Sequence, residues 1–419
     1  MKCSYQHIFP VVSIILFSVF AKAQNSYTLQ TALQTARENN PQLKTEQFNM
    51  AIAEADIISA KIRPNFSLSN ESIQLLQTSE FAPNTSWYNN HNRQVMWQIS
   101  KPIQIAGQRK NKIAVADNNL LYTKSEYRET ERQLFLEVAE KWLSVQAVQK
   151  QLKIVELAKS NVDSLTLINQ HRYSNQVVTE TDLYRTELLS KQYEMKYNTI
   201  LQEWNNLKKE LGFLIGNHQS VEIDMDDNFF INIDADLDSL ITQALNNRSD
   251  ILATKQLVEV SNSNSKLQKS LSYPQPEIGL IWNPQNHIPY AGISFSIDLP
   301  FSDRNQGEIK KSYLLKQQAE QQLFSLENQL QTEIETAYNS YLQHRQNSNE
   351  FEIILETSQT ILDNVKYAYL KGGTTIIDFL EAQRAWLETQ EQYYETLEQY
   401  YQSYVQLLYT TGLINQLAL

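Results

Sequence analysis

The sequence predicts a mainly α-helical chain with a small β part, made of two copies of one unit: helix, helix, strand, strand, long helix, long helix. Three observations predict it. Glycine is only 9 of 419 residues, well under the usual ~7 %, which suits long uninterrupted helices. Apolar residues recur at steps of three and four over very long stretches, the period of a helix with one packed face. Two turns carry the same cap spacing, Thr179 to Asp182 and Thr375 to Asp378, about 200 residues apart.

Each element follows in order. Residues 29–63 are helical: Leu29, Ala32, Leu33 and Ala36 share a face, Pro41 after Asn39-Asn40 opens a second helix at its first turn, and Pro64 stops it. The period then changes. Phe66-Ser67-Leu68-Ser69 and Val95-Met96-Trp97-Gln98-Ile99-Ser100 alternate as strands, separated by a polar loop from Thr78 to Asn92 and closed by Pro102. From about Gln108 the helical period runs for about sixty residues, or roughly 90 Å of rod. Its stripe is Val138, Trp142, Val145, Val148, Leu152, Val155, Ala158, Val162, Leu165 and Ile168, a coiled-coil-like seam. A further helix spans about Thr179 to Leu211.

Residues 213–236 lose the period, and the plan restarts. Leu237 to Asn247 matches Leu29 to Asn39, and Pro274 stands for Pro64. Glu277 to Trp282 and Ala291 to Leu299 read as strands around a short loop, Asn283 to Ile288, with Pro300 standing for Pro102. Long helices follow over about Gly307 to Leu370 and Thr375 to Thr411. Between them Gly372-Gly373 can take the positive φ that ends a helix. The domain reading is a leader at 1–23, a first repeat at 24–236 with 213–236 as its irregular segment, and a second repeat at 237–419, the two repeats forming one structural domain.

The first 23 residues read as a signal peptide: Lys2, an apolar core from Ile8 to Phe20, and Ala21-Lys22-Ala23 as a small-x-small cleavage site. The sole cysteine, Cys3, lies inside it, so the expected mature chain has no disulfide and no thiolate chemistry. The net charge of −11, without a basic stripe, speaks against a nucleic-acid partner. No later stretch is apolar enough for a transmembrane helix.

Four strands cannot close a barrel, and an open set leaves edge hydrogen bonds unpaired. Oligomerisation is the simple remedy. An exported chain with alternating strands between helical rods fits an outer-membrane barrel that continues into a helical tube. A periplasmic coiled-coil adaptor or scaffold is the second reading. It explains the rods but not two duplicated strand pairs.

The candidate residues lie mostly at the turns. On the residues alone, Asp378 is a capping-box acid and Glu381 a solvated side chain; being one turn apart, both could instead face a pore. Asp224-Met225-Asp226-Asp227-Asn228 begins like a calcium loop but has Phe229 and Ala235 where glycine and glutamate belong, so it reads as an acidic surface loop. The six histidines show no ligand spacing. The tyrosines from Tyr393 to Tyr404 read as helix packing. No catalytic constellation can be assembled, so an enzyme is not expected, and no cofactor or metal is implied.

Leu29 to Pro41, the proline-bounded strand pairs, the duplication, and Asp378-Phe379-Leu380-Glu381-Ala382-Gln383-Arg384 together resemble the TolC family of outer-membrane efflux channels. That resemblance implies a homotrimer in outer-membrane lipid, with a twelve-stranded β-barrel and a periplasmic α-helical barrel. It further implies a passive exit duct of a tripartite efflux or type I secretion system. A periplasmic adaptor (membrane fusion) protein and an inner-membrane RND or ABC transporter would be its partners. Asp378, Glu381 and Tyr369 would ring the periplasmic gate. Asp182 matches a gate aspartate whose arginine partner is here Thr374, and Arg185 would substitute by pairing with Glu381 or Asp378. The turns Val177, Val178, Thr179 and Gly372, Gly373, Thr374, Thr375 would meet the adaptor. Gly107-Gln108-Arg109-Lys110 is similar to a glycine-basic motif of the CzcC-like heavy-metal branch, with Gln108 where a basic residue is usual; it equally fits a strand-to-helix joint. Metal cations would be the cargo of that branch.

Overall fold

The structure, a computed structural model, describes residues 26–217, 219–225, 227, 229–231 and 236–419. The expected signal peptide with Cys3, and Asp226, Asn228 and Ala235 of the acidic loop, lie outside the described residues.

Eight helices and four strands repeat the expected unit twice among the described residues. They are α1 (Leu29–Asn39), α2 (Pro41–Lys61), β1 (Ser67–Gln74), β2 (Arg93–Pro102), α3 (Gln108–Ser174), α4 (Glu180–Leu214), α5 (Leu237–Asn247), α6 (Ser249–Leu271), β3 (Glu277–Gln285), β4 (Ile288–Ser296), α7 (Gln306–Leu370) and α8 (Ile376–Thr411). The α1–α2 break forms as its residues require. The Asn40 carbonyl oxygen of the side chain accepts from Gln42 N and Leu43 N, and Pro41 occupies the first helical position, where no amide hydrogen is needed.

At 67 and 65 residues, α3 and α7 are rods of about 100 Å. Near the sheet, α2, α3, α6 and α7 lie side by side; beyond the middle of the rods the layer is α4, α3, α8, α7. The strands form one antiparallel sheet in the order β1-β2-β3-β4, with β1 and β4 as open edges. Helix and sheet layers are therefore open on the same two sides.

A band of core wraps the middle. Leu29, Leu33 and Ala36 pack with Phe135, Val138, Trp142 and the C-terminal Ile414 and Leu417. Trp142 donates through Nε1 to the Tyr27 carbonyl at 2.9 Å. The described residues of the irregular segment contribute directly, and Asp227, expected in an acidic surface loop, is drawn into the packing. Tyr27 bridges Ile223, and the Asp227 carboxylate accepts from Leu29 N at 2.7 Å, at the start of α1.

A buried charge network joins α3, α6, α7 and α8. Arg248 forms a fork on Asp250, at 2.9 and 2.6 Å, and reaches Glu333 at 2.9 Å and the Thr410 carbonyl at 3.1 Å. Arg132 forms a second fork on Glu129, both bonds 2.8 Å. Burial alone would push the Asp250 carboxyl up; the bonds and charge of Arg248, with Arg132 behind them, outweigh it and hold it below the usual carboxylate range.

Four expectations are corrected. Strands β1, β2 and β3 are longer than the alternating runs, because the ladder continues through polar residues. The loop expected at Asn283 to Ile288 is strand up to a two-residue turn, Asn286-His287, with both residues at positive φ (52° and 66°), the turn that matches hairpin twist. Strand β4 accordingly starts and ends three residues early. Pro284 and Pro289 sit opposite each other beyond the β2–β3 pairing, where their missing donors interrupt no central ladder. Finally, Ile168 is exposed; the seam passes instead through Asn169, which is fully buried four residues after Leu165.

Candidate functional site: helix turns and membrane sheet

The two turns are copies in backbone as well as sequence. Val177 N donates to the Arg172 carbonyl at 2.8 Å, and Gly373 N to the Ala368 carbonyl at 2.8 Å. Each follows a residue in the left-handed region, Gln176 at φ 60° and Gly372 at φ 77°, the usual close of a helix. The second turn uses glycine for it and the first does not.

Both following helices carry the capping box. Thr179 Oγ1 donates to Asp182 Oδ2 at 2.7 Å, and Asp182 N donates back to Thr179 Oγ1 at 3.1 Å. Asp378 Oδ2 accepts from Thr375 Oγ1 at 2.6 Å, Thr375 N at 3.1 Å and also Thr374 Oγ1 at 2.7 Å. Bonds from Thr375 and then Thr374 hold the Asp378 carboxyl below the usual carboxylate range. Thr374, standing where the resemblance implies an arginine, thus serves the acid of its own turn.

Arg185 pairs within its helix, with Nη1 3.4 Å from Asp182 Oδ1. It also lines a groove of roughly 220 Å³ with Leu188, Ile377, Leu380, Glu381 and Arg384. The structure therefore brings Arg185 and Glu381 to one groove. Val177, Thr179, Gly372, Gly373 and Thr375 are exposed at the tip, with Val178 and Thr374 half-buried.

Tyr369 lies inside the helix packing. Its hydroxyl donates to Asn169 Oδ1 at 2.7 Å, its ring stacks on Phe379 at 5.5 Å, and the Arg172 guanidinium sits 5.0 Å from the ring centroid. This ties the end of α3 in one repeat to the α7–α8 turn in the other. Sequence reading missed Asn169 and Arg172. The signal was a polar residue at a seam position.

Gly107-Gln108-Arg109 is a joint. Gly107 takes φ 73°. Gln108 is buried and donates to the Ser270 and Tyr273 carbonyls, while Arg109 donates to the Lys61 carbonyl at 2.7 Å.

At the opposite end, pairing fixes the faces of the sheet. Leu68, Ile99, Leu280 and Ile293 form one row across all four strands, between 43 % and 79 % exposed. On the same face lie the opposed Trp97 and Trp282, and Ile278 opposite Phe295. The other face carries Ser67, Ser100, Gly279 and Ser294 as its matching row. A Cβ on Gly279 would sit 2.5 Å from Ser294 Oγ and 2.7 Å from the Ile99 carbonyl oxygen, so only glycine fits. One apolar, solvent-exposed face backed by a polar one is the pattern of a strand set with lipid on one side and water on the other.

The profile of the family described as outer membrane efflux protein matches residues 32–217 and 240–413. The chain belongs to that family. Efflux channels of this family are conduits rather than enzymes, with the sheet end in the outer membrane and the helices extending into the periplasm. The adaptor or scaffold reading gives way to it. Solved structures share the fold at low identity. A membrane protein from Pseudomonas aeruginosa has a TM-score of 0.77 at 15 % identity, covering 98 % of this chain and 100 % of its own. The outer membrane protein VceC of Vibrio cholerae gives 0.74 at 16 %, covering 92 % and 96 %. The CmeC outer membrane channel of Campylobacter jejuni gives 0.73 at 14 %, covering 98 % and 94 %. No curated protein sequence matches. Among the described residues, no group of three or more His, Cys, Asp or Glu is placed to hold a metal ion.

Proposed function

We propose that three copies of this efflux channel join edge to edge. The sheet then closes into a twelve-stranded barrel and the helices into a tube, forming the passive exit duct of a tripartite efflux or type I secretion system. The observation that carries this is the coincidence of open edges. Strands β1 and β4 end the sheet, and the helices beneath them expose large apolar residues on the same sides. On one side these are Phe48, Ile52 and Ile58 of α2 with Leu188 and Met195 of α4; on the other, Phe324, Ile353 and Ile361 of α7. Such stripes are costly in water and complete each other across a closed ring.

In this reading the exposed turns, Val177 to Thr179 and Gly372 to Thr375, are the docking points of a periplasmic adaptor, and an inner-membrane RND or ABC transporter supplies the energy. Asp378 and Glu381 ring the periplasmic mouth. Tyr369 fixes the adjoining helix end through Asn169, and Arg185 meets Glu381 in their shared groove with Asp182 as its resting partner. Three copies of a carboxylate pair near one axis would attract a cation. Gln108 and Arg109 of the Gly107–Lys110 joint spend their polar atoms on the fold, so the metal-cargo reading draws no support from them.

Conductance across a planar bilayer tests the duct and its mouth together. The wild-type protein conducts and is blocked by divalent cations from the turn side. The double variant Asp378→Ala, Glu381→Ala keeps its assembly and loses most of that block. A non-conducting assembly removes the duct; unchanged block removes the acidic ring.

A further inference from the structure

We propose that His91 and His287 form a two-imidazole site for a borderline transition-metal dication, of the Zn²⁺ class, at the outer end of the sheet. The residues are far apart in sequence. Each lies just ahead of the second strand of its repeat, His91 two residues before β2 and His287 one residue before β4. The sheet brings them together. Strand β2 begins at Arg93 and its antiparallel neighbour β3 ends at Gln285, with Trp97 opposite Trp282. Carrying that register outward sets Asn92 opposite His287, with His91 beside it. The two rings stand 6.2 Å apart, edge to face.

Two imidazoles on one tetrahedral ion, each with Zn–N of ~2.0–2.1 Å, hold their ring centroids about 5 Å apart. The observed separation is about an ångström longer, within reach of small side-chain rotations by two exposed residues. Both backbones are held for the purpose. His91 N donates to Asn89 Oδ1 at 3.0 Å. The buried Asn92 next to it organises the loop: its Oδ1 accepts from Ala82 N at 3.0 Å, and its Nδ2 donates to Thr85 Oγ1 and the Ser86 carbonyl, both at 2.9 Å. His287 is fixed by the two-residue turn it shares with Asn286. A pair of neutral imidazoles selects zinc, copper or nickel over hard cations, and water completes the coordination. The hairpin tips point away from the helices, so the site opens to the outer medium. There a bound ion would cross-link the β1–β2 loop to the β3–β4 turn.

The test uses the full protein in detergent, purified without a histidine tag, titrated calorimetrically with Zn²⁺ alone and again in excess Mg²⁺. With Mg²⁺ in excess to occupy the acidic mouth, one Zn²⁺ is expected per chain. His91→Gln and His287→Gln should each weaken it by more than about tenfold, and the double variant little further. His171→Gln, on the distant end of α3, should leave it unchanged. Amide exchange at residues 285–288 should slow on adding Zn²⁺ to the wild type and not to the variants. Binding that survives either substitution, depends on only one of the two histidines, or yields equally to Mg²⁺ overturns the site.

Discussion

Helices α3 and α7 are the same rod in two positions. They differ in length by two residues and stand at equivalent places in the repeat, yet α3 buries 20 of its residues and α7 only 8. The difference is neighbours. Helix α3 is covered by α2 and α4 on one flank, α6 and α8 on the other, and α1 over its middle; among the described residues α7 packs chiefly on α6, α8 and α5. A rod can be finished inside one chain or left for another chain to finish. The apolar residues of α7 that face open space, Ile353 at 71 % exposure among them, mark the second kind.

The largest effect should come from charging each rod in turn. Val155 of α3 is fully buried between helices, and Val155→Asp places an unpaired carboxylate there, a cost of several kcal/mol. Helical circular dichroism should collapse and the protein fail to reach the membrane. Ile353→Asp should do something different: a helical chain that no longer assembles, seen as a single-chain mass in detergent. Equal unfolding in both variants would break the comparison.

Next come two substitutions in the covered middle of α3 and its joint. Trp142→Ala should lower stability by about 3–5 kcal/mol, read as a lower denaturation midpoint; Phe324→Ala on the open face of α7 should cost a single chain little. Arg248→Ala takes the fork from Asp250, leaving it Arg132 at 3.4 Å, and takes one partner from Glu333; breaking a buried pair outright costs about 3–5 kcal/mol, the upper limit here. It also changes the acid limb. The folded Asp250 carboxyl lies below its unfolded value, so its contribution is present above the usual carboxylate range and is lost as pH falls through the lower, folded value. Wild-type Tm should therefore fall in that acidic window, and the variant should show a flatter limb.

Much of this was readable beforehand, for a reason. Helices α1 to α8 declare themselves through repeating burial, and Asn40-Pro41, Thr179 and Thr375 mark their starts by local hydrogen bonding. What stayed hidden depends on pairing. The extra length of β1 runs through Asn70, Glu71 and Ser72, which lie outside the alternating run until the ladder to β2 is known. Pro284 and Pro289 look like strand breakers until they face each other outside the central ladder. Asn169 looks like a surface residue until Tyr369, 200 positions on, donates to it. His91 and His287 showed no ligand spacing because register, not sequence distance, brings them together.

Smaller effects sharpen the picture of the interior. Burial pushes the Glu398 carboxyl up, partly offset by the bond from Ser144 Oγ, with Glu395 and Glu203 adding to the rise. A raised folded value means the group favours the fold at acid pH and loses that contribution as pH rises through it. Glu398→Gln should raise Tm at pH 8 by on the order of 1 °C, and the gain should disappear as pH falls below the ordinary glutamate value of ~4.3. At the turns, Thr375→Ala removes one of the three threonine donors to Asp378, its hydroxyl, and with it the acceptor of the return bond from Asp378 N. Amide exchange should quicken in the first turn of α8 while α4, capped by Thr179, is unaffected.

The measurement to make first is the native mass of the detergent-extracted protein from fractionated membranes. Closure of both open edges by neighbouring chains predicts three chains per particle, found in the outer-membrane fraction and released only by detergent. A single chain, or a dimer that leaves with salt alone, would mean that β1, β4 and the free face of α7 are not completed by further copies, and would contradict the closed duct.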